Sequence, residues 1–259
     1  MIGIFDSGVG GLSVWREIYR LMPGESSLYI SDGAFCPYGS KDPAFIRERA
    51  ASISAYLIDR GAEVVVVACN TATAAAISSL REKFDVPFVG MEPAIKPAAL
   101  HSRSGVVGVL ATAGTFKGRL YLDTLARFAG EVRVVEQVGE GLVEAVERGV
   151  FDSPELDDLL HHYIDNMLAA GADHIVLGCT HYPFLQETIA RIAGPEVVIV
   201  NPAPAIATQI KRVLSNMREV SNGRGDFFFC STGEIPVLKE LARREIPDLD
   251  DSHFAEILI

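Results

Sequence analysis

The sequence is poor in cysteine and in basic residues, and both shortages exclude functions. It has four cysteines in 259 residues, at wide and irregular spacings without a CxxC pair, so neither a clustered zinc spacing nor a disulfide framework is indicated. Lys and Arg number 23 against 34 Asp and Glu, which gives a net charge of −11. Phosphate binding needs a basic surface, and we therefore expect no nucleic-acid partner.

Long hydrophobic runs are also missing. No apolar stretch approaches the ~18–20 residues of a membrane-spanning helix, so we expect no membrane partner. The opening residues MIGIFDSGVGG turn polar at Asp6 and show no basic start, apolar region or cleavage site of a signal peptide. We expect a cytoplasmic protein with reduced thiols. Its 49% hydrophobic residues are enough for a substantial core.

Strand-like and helix-like patterns alternate almost throughout the chain. This alternation predicts an α/β fold with mainly parallel sheets flanked by helices. The predicted strands are Ile2–Phe5, Leu28–Ser31, Val64–Ala68, Val86–Val89, Val106–Leu110, Val132–Glu136, the run before Cys179, Val197–Val200 and Phe227–Cys230. The predicted helices are 12–22, 43–60, 72–83, 116–128, 141–148, 154–170, a helix that follows a break at Pro202 and Pro204 and runs to about Met217, and 235–244.

One segment of the chain occurs twice. GAEVVVVAC (61–69) and GADHIVLGC (171–179) have the same length, the same Gly-Ala-acid opening and the same small residue plus cysteine at the end. GIFDS (3–7) and GVLAT (108–112) add a weaker second match. The repeat predicts two pseudo-symmetric domains with the active site in the cleft between them. We place residues 1–92 and 207–259 in the first domain and 93–206 in the second.

The repeat places a thiol at the end of a strand in each half. Ligands of parallel α/β sheets bind beyond the carboxyl ends of the strands, and a helix N-terminus there favours a thiolate. Two thiols facing one cleft can approach a carbon from opposite sides, which is what inverting a stereocentre requires. Cys69 and Cys179 are therefore the candidate acid/base residues. We interpret Cys36 and Cys230 as small apolar residues.

Five motifs carry a resemblance to a known family. FDSGVGGLSV (5–14), CPYGSK (36–41), ACNTATA (68–74), MEPAIKP (91–97) and GCTHYPFL (178–185) resemble, in order and spacing, the motifs of the cofactor-independent glutamate racemases of the aspartate/glutamate racemase superfamily. The match spans residues 3–206. The sequence departs from it in three places: the arginine that many members carry before Pro-Tyr-Gly is missing, Gly139-Glu140 replaces Cys-Pro, and Gly118 replaces serine.

The resemblance implies a function and a set of site residues. It implies interconversion of L- and D-glutamate without a cofactor or metal, supplying D-glutamate for peptidoglycan, in an enzyme that is a possible homodimer. The implied catalytic residues are Cys69, which works on the D-enantiomer, Cys179, which works on the L-enantiomer, and Asp6, His181 and Glu147 as their helpers. The implied substrate-binding residues are Asp6, Ser7, Pro37, Tyr38, Gly39, Asn70, Thr71, Thr112, Thr115, Thr180 and His181.

Other functions remain open at this point. The nearest is a racemase of the same superfamily that acts on aspartate or another acidic amino acid. A pyridoxal-phosphate racemase needs a Schiff-base lysine, for which Lys96 between two prolines is a poor candidate. A zinc site of Cys179, His181, Cys69 and Asp6 has mixed ligands without a conventional spacing. A two-domain amino-acid binding protein would not require paired thiols.

Overall fold

The computed structural model describes residues 1–128, 130 and 132–259, which form two parallel sheets with helices on their faces. Every strand pairing in this described part of the chain is parallel. The strands are β1 (Ile2–Asp6), β2 (Ser27–Ser31), β3 (Val64–Val67), β4 (Phe88–Gly90), β5 (Val106–Ala111), β6 (Arg133–Val138), β7 (His174–Gly178), β8 (Val198–Val200), β9 (Phe227–Ser231) and β10 (Phe254–Glu256). The first sheet has the order β10-β9-β2-β1-β3-β4, and the second has the order β6-β5-β7-β8.

The helices follow the strands in an alternating order. They are α1 (Leu12–Leu21), α2 (Pro43–Asp59), α3 (Asn70–Lys83), α4 (Ile95–His101), α5 (Ala113–Phe116), α6 (Arg119–Phe128), α7 (Leu142–Glu147), α8 (Pro154–Ala169), α9 (Gln186–Ala193), α10 (Ala203–Met217) and α11 (Pro236–Glu245). The predicted fold class, two mainly parallel α/β sheets flanked by helices, is confirmed. Within the described residues, no helix combines the length and apolarity needed to cross a membrane.

Local sequence explains why the repeated units start and stop where they do. The four valines of β3 are fully buried, as expected for a parallel strand that is covered on both faces. Gly61 and Gly171, which open the two units, both have a positive φ, of 89° and 91°. Only glycine adopts this backbone without strain, so each glycine ends a helix and turns the chain into the next strand.

The repeat is visible in the topology of the two sheets. β1 pairs with β3 in the first sheet, and β5 pairs with β7 in the second. The matched segments 3–7 and 108–112 therefore form the neighbours of the two strands that end in cysteine. Phe5 lies opposite Val67, and Ala111 lies opposite Gly178. Each cysteine thus emerges beside the end of an equivalent central strand.

The structure corrects several details of the predicted elements. The helix expected over 116–128 is α6 and begins only at Arg119, because residues 113–116 form the separate α5. Gly118 lies between the two, where a Cβ would lie 2.5 Å from Ala74 Cβ, so the close approach excludes a side chain. Pro204 does not break the chain but lies in the first turn of α10, where a missing N–H costs nothing. Helices α4 and α5 and strand β10 were not predicted. The domain boundaries at residues 92 and 207 stay a prediction.

Candidate functional site

Cys69 and Cys179 line one cavity at the carboxyl ends of the central strands. Cys69 follows β3 and caps α3, where its Sγ accepts a hydrogen bond of 3.4 Å from the backbone N–H of Ala72. Cys179 follows β7 and precedes a short 3-10 turn at Tyr182–Leu185. Both thiols are free and almost fully buried. The structure therefore brings together the two thiols that the repeat had singled out.

The cavity between the thiols is small. Its volume is about 10 Å³, the space of roughly one water molecule, so a bound amino acid requires the walls to move apart. A larger cavity of about 730 Å³ adjoins it and shares Pro37, Gly39, Thr71, Thr112 and Val143 with it. The small cavity is lined by Ser7, Pro37, Tyr38, Gly39, Cys69, Asn70, Thr71, Thr112, Val143, Cys179, Thr180 and His181.

Asp6, the last residue of β1, connects the first half to the second. Its carboxylate is completely buried and accepts hydrogen bonds from the backbone N–H groups of Ser7 (2.7 Å) and Gly11 (2.5 Å). The hydroxyl of Thr180 donates a further bond of 3.1 Å. The hydroxyl of Ser7, which is next to Asp6, lies 3.8 Å from the Sγ of Cys69. Asp6 thus reaches the Cys69 side of the cavity through its neighbour.

His181 and Glu147 form a hydrogen-bonded pair on the Cys179 side. His181 Nδ1 lies 3.6 Å from Cys179 Sγ, and its Nε2 lies 2.5 Å from Glu147 Oε1. Glu147, at the end of α7, also accepts a bond of 2.7 Å from the backbone N–H of Val9. The carboxylate therefore orients the imidazole toward the sulfur. Sequence reasoning placed Glu147 here only by resemblance, because a glutamate before Arg148-Gly149 is normally a solvated helix end.

The two sides of the cavity differ electrostatically. Burial raises the pKa of the Cys69 thiol well above its ordinary value, and the carboxylate of Asp6 raises it further. Burial lowers the pKa of His181, but hydrogen bonds with Cys179, Cys36 and Glu147 outweigh it, and the net pKa is well above the ordinary value. Burial raises the pKa of Glu147 while its bond with His181 lowers it more. The Cys69 side therefore holds a thiol, and the Cys179 side holds an imidazolium–carboxylate pair.

The side chain of Asn70 is buried without a partner. Neither its Nδ2 nor its Oδ1 finds a hydrogen-bond partner among the described residues, although the residue is only 5% exposed. Burying such an amide destabilises the fold unless a ligand supplies the missing hydrogen bonds. Beside it, the hydroxyls of Thr71 and Thr112 lie 2.9 Å apart, and Thr112 Oγ1 lies 3.0 Å from Thr115 Oγ1. Donors and acceptors thus converge on one wall of the cavity.

Cys36 is the site residue that sequence reasoning missed. Its Sγ, an oxygen of Glu147 and a ring nitrogen of His181 lie within 4.8 Å of one another, the one group of the described residues with the spacing of a metal site. This group differs from the predicted zinc alternative of Cys179, His181, Cys69 and Asp6. Burial raises the pKa of the Cys36 thiol to about 11, so it stays neutral at ordinary pH. The CPYG motif was the available signal, since Pro37, Tyr38 and Gly39 all line the cavity.

The predicted site residues gather around this one cavity. Eleven of them line it, and the other three, Asp6, Thr115 and Glu147, reach it through hydrogen bonds with Ser7, Thr112 and His181. The geometry does not by itself assign their roles, which stay predictions at this point.

Paired thiols at equivalent strand ends, each with its own polar helpers on a shared cavity, are typical of enzymes that transfer protons. The chain belongs to the Asp/Glu/Hydantoin racemase family, whose pattern it matches over residues 2–210. It is therefore an isomerase, and the resemblance to racemases inferred from its motifs is confirmed.

Relatives of known name cover almost the whole chain. The glutamate racemase of Roseiflexus sp. (strain RS-1) is 51% identical over 247 residues, which are 94% of this chain and 91% of that protein. Among solved structures, Bacillus anthracis glutamate racemase isoform RacE1 superposes with a TM-score of 0.87 at 28% identity, covering 100% and 97% of the two chains. Escherichia coli glutamate racemase, in complex with L-glutamate and the activator UDP-MurNAc-ala, has a TM-score of 0.86 at 34% identity and covers 99% and 97%.

Proposed function

We propose that this protein interconverts L- and D-glutamate by proton transfer at Cα, with Cys69 and Cys179 as the two acid/base groups. The observation that carries the proposal is the placement of both thiols, from equivalent strand ends, on one cavity. Relatives at 51% identity are glutamate racemases, which supports glutamate as the substrate. The reaction needs no cofactor, because the residues around the cavity supply both a proton acceptor and a proton donor.

The first proton transfer follows from the electrostatics of the two sides. Cys69 holds its proton, so the base for L-glutamate is the opposite sulfur, Cys179. Cys179 first gives its own proton to the imidazole of His181, and the resulting thiolate accepts the α-proton as the S–H bond forms and the Cα–H bond breaks. The electron pair left on Cα then takes the proton of Cys69 from the other face, which gives D-glutamate. His181 donates a hydrogen bond to the sulfur beside it, and Asp6 acts on Cys69 through Ser7. The reverse reaction uses the same groups in the opposite order.

Binding must also stabilise the negative charge that develops on Cα. The free side-chain amide of Asn70, the hydroxyl of Thr71 and the N-terminus of α3 are donors for the α-carboxylate. Donors that are already oriented stabilise a carbanion-like state without reorganisation, and removing one such donor typically costs ~100-fold or more in rate. Ser7 offers its hydroxyl oxygen to the α-ammonium group, while its hydroxyl proton is held by Asp6 behind it.

An isotope experiment tests the mechanism directly. In deuterated solvent, the product formed from either enantiomer should carry deuterium at Cα while the remaining substrate keeps its hydrogen, as followed by mass spectrometry and circular dichroism. Cys69→Ala and Cys179→Ala should each abolish racemisation in a folded protein. The control is Cys230→Ala, on β9 and not among the residues that line the cavity, and it should retain the activity. The two-base mechanism would be ruled out by product that keeps the original hydrogen, or by substantial turnover of Cys69→Ala or Cys179→Ala.

The biological role follows from the same activity. We propose that the enzyme acts in the cytoplasm, supplies D-glutamate for peptidoglycan and self-associates, as the family resemblance implies. Expression of the chain should allow a bacterial strain that requires D-glutamate to grow without it, and Cys69→Ala should not. Chirality assays with aspartate in parallel decide between glutamate and other acidic amino acids.

A further inference from the structure

A completely buried carboxylate, Asp32, stands beside the site without touching the cavity. It follows β2, and its backbone N–H donates a hydrogen bond of 2.9 Å to the carbonyl oxygen of Asp6 at the end of the neighbouring strand. A carboxylate in such a place is stabilised only where donors surround it. Side chains that bond to the Asp32 carboxylate are therefore linked to the strand end that carries Asp6.

Four donors from three further segments of the chain meet on this carboxylate. The guanidinium of Arg49, on α2, donates from Nη2 to Oδ1 at 2.6 Å and from Nε to Oδ2 at 3.0 Å. The hydroxyl of Thr232, just after β9, donates to Oδ1 at 2.9 Å. The phenol of Tyr38 donates to Oδ2. A two-pronged Arg–carboxylate bond has a fixed geometry, so the acceptor for Tyr38 is held in place.

Arg49 is itself held on a second side. Its side chain is 12% exposed, and its guanidinium carbon lies 4.5 Å from the centre of the Phe35 ring. Its Nη1 donates to the backbone oxygen of Ile259 at 2.6 Å. The hydrogen bonds that Arg49 donates to Asp32 raise the pKa of Arg49, so the guanidinium stays charged. Stacking and pairing together leave it little rotational freedom.

Tyr38 carries this arrangement into the site. Its ring is 1% exposed, and with its neighbours Pro37 and Gly39 it forms one wall of the cavity. Gly39 then contacts the second half, since a Cβ there would lie 3.1 Å from Thr112 Cβ. A shift of the phenol therefore moves the wall that faces both Cys69 and Thr112.

We infer that Arg49 and Asp32 are positioning residues for substrate binding, acting through the hydroxyl of Tyr38 on the segment 37–39. This inference rests on the proposed racemase function and extends it to residues that never contact the amino acid. Since the cavity must widen to admit a substrate and then close on it, a wall with a fixed anchor restores the same closed geometry each time. Losing the anchor weakens closure on the substrate more than it disturbs the thiols.

The test is steady-state kinetics of folded variants with D- and L-glutamate. Arg49→Gln and Asp32→Asn should raise KM by about tenfold while kcat changes less, since misplacing a binding wall mainly costs orientation. Arg49→Lys keeps the charge but not the two-pronged bond and should restore only part of the affinity. Arg212→Gln, an exposed arginine on α10, is the matched control and should leave KM unchanged.

A double-mutant cycle separates positioning from simple stability. Tyr38→Phe removes only the hydroxyl, and once it is gone Arg49→Gln should add little further increase in KM because both act through the same contact. Additive effects, or a lowered melting temperature with KM within twofold of wild type, would overturn the inference. The wild-type enzyme serves as the reference for the proposed function itself. If it does not racemise glutamate, that function fails, while unchanged KM in the variants of an active enzyme defeats the positioning role alone.

Discussion

The hydroxyl of Thr180 donates a hydrogen bond of 3.1 Å to Asp6 Oδ2 and so joins the strand ends of the two sheets. The two residues are 174 positions apart, and both are buried beside the thiols. The backbone oxygen of Thr180 also accepts a bond of 2.8 Å from the hydroxyl of Ser13. Thr180, which follows Cys179, therefore donates a hydrogen bond to the carboxylate of Asp6, whose neighbour Ser7 lies beside Cys69.

Thr180→Val tests this link, because valine has the same shape without the hydroxyl. Burial already raises the pKa of Asp6. The loss of one hydrogen-bond donor to its carboxylate should raise this pKa further. We expect kcat/KM to fall by roughly 10–100-fold and the free energy of unfolding to fall by about 1–2 kcal/mol. Thr180→Ser keeps the donor and should retain most of both. Equal activity in the valine and serine variants would contradict the link.

Asn70→Leu should separate stability from function. Leucine has a similar volume and removes the two buried polar atoms that have no partner within the described structure. We expect an unchanged or higher melting temperature, since the cost of burying those atoms disappears, together with a loss of glutamate turnover of about 100-fold or more.

Thr73→Val serves as the comparison for Asn70→Leu, because we expect it to reduce stability and not function. Its hydroxyl is satisfied on both sides, by the carbonyl oxygen of Val67 at 3.1 Å and the N–H of Met91 at 2.9 Å. Its loss should lower the melting temperature and leave KM nearly unchanged. A strongly destabilised Asn70→Leu would mean that the amide supports the fold rather than the substrate.

Glu147→Gln should change the pH dependence of the reaction. The His181 pKa is raised, so its stabilising contribution is complete below about pH 6.5 and is lost as the pH rises through the raised value. The Glu147 pKa is lowered, so its contribution is present above about pH 4.5 and is lost as the pH falls through the lowered value. Both contributions to stability are thus fully present between about pH 4.5 and pH 6.5.

Glutamine keeps the shape of Glu147 but removes the charge that helps to raise the pKa of His181. The alkaline limb of kcat/KM should therefore move to lower pH, measured with D-glutamate across the pH range. Glu144→Gln, an exposed change on the same helix, is the control and should leave the limb in place. An identical profile for both variants would show that Glu147 does not set the protonation of His181.

Gly8→Ala should damage the site without damaging the cores. A Cβ at this position would lie 1.9 Å from Glu147 Oε1 and 2.8 Å from Cys36 Sγ, so the carboxylate must move away from His181. We expect a loss of activity of about tenfold or more with a smaller change in melting temperature. Gly223→Ala, where the nearest atom is 3.6 Å away, should leave both unchanged. Full activity of Gly8→Ala would show that the glutamate position is not critical.

Local patterns were sufficient for most of the elements. The repeated Gly-Ala units, the buried valines of β3 and the proline at the start of α2 each act within a few residues, and the structure has the corresponding strands and helices. Patterns failed where a distant contact decided the backbone. Gly118, between α5 and α6, packs against Ala74, which leaves no room for a side chain, and β10 pairs with β9 at the edge of the first sheet.

The sequence by itself determined the fold class, the two thiol-bearing strand ends and the family, because these depend on hydrophobic periodicity, on turn glycines and on motifs that are continuous in the chain. Only the tertiary structure decided which side chains contact one another around those thiols. Glu147 meets His181 from 34 positions away, Thr180 meets Asp6 from 174, and Thr232 meets Asp32 from 200. Such pairs leave no periodic signal, since their partners come together only when the two sheets and their connecting helices have packed.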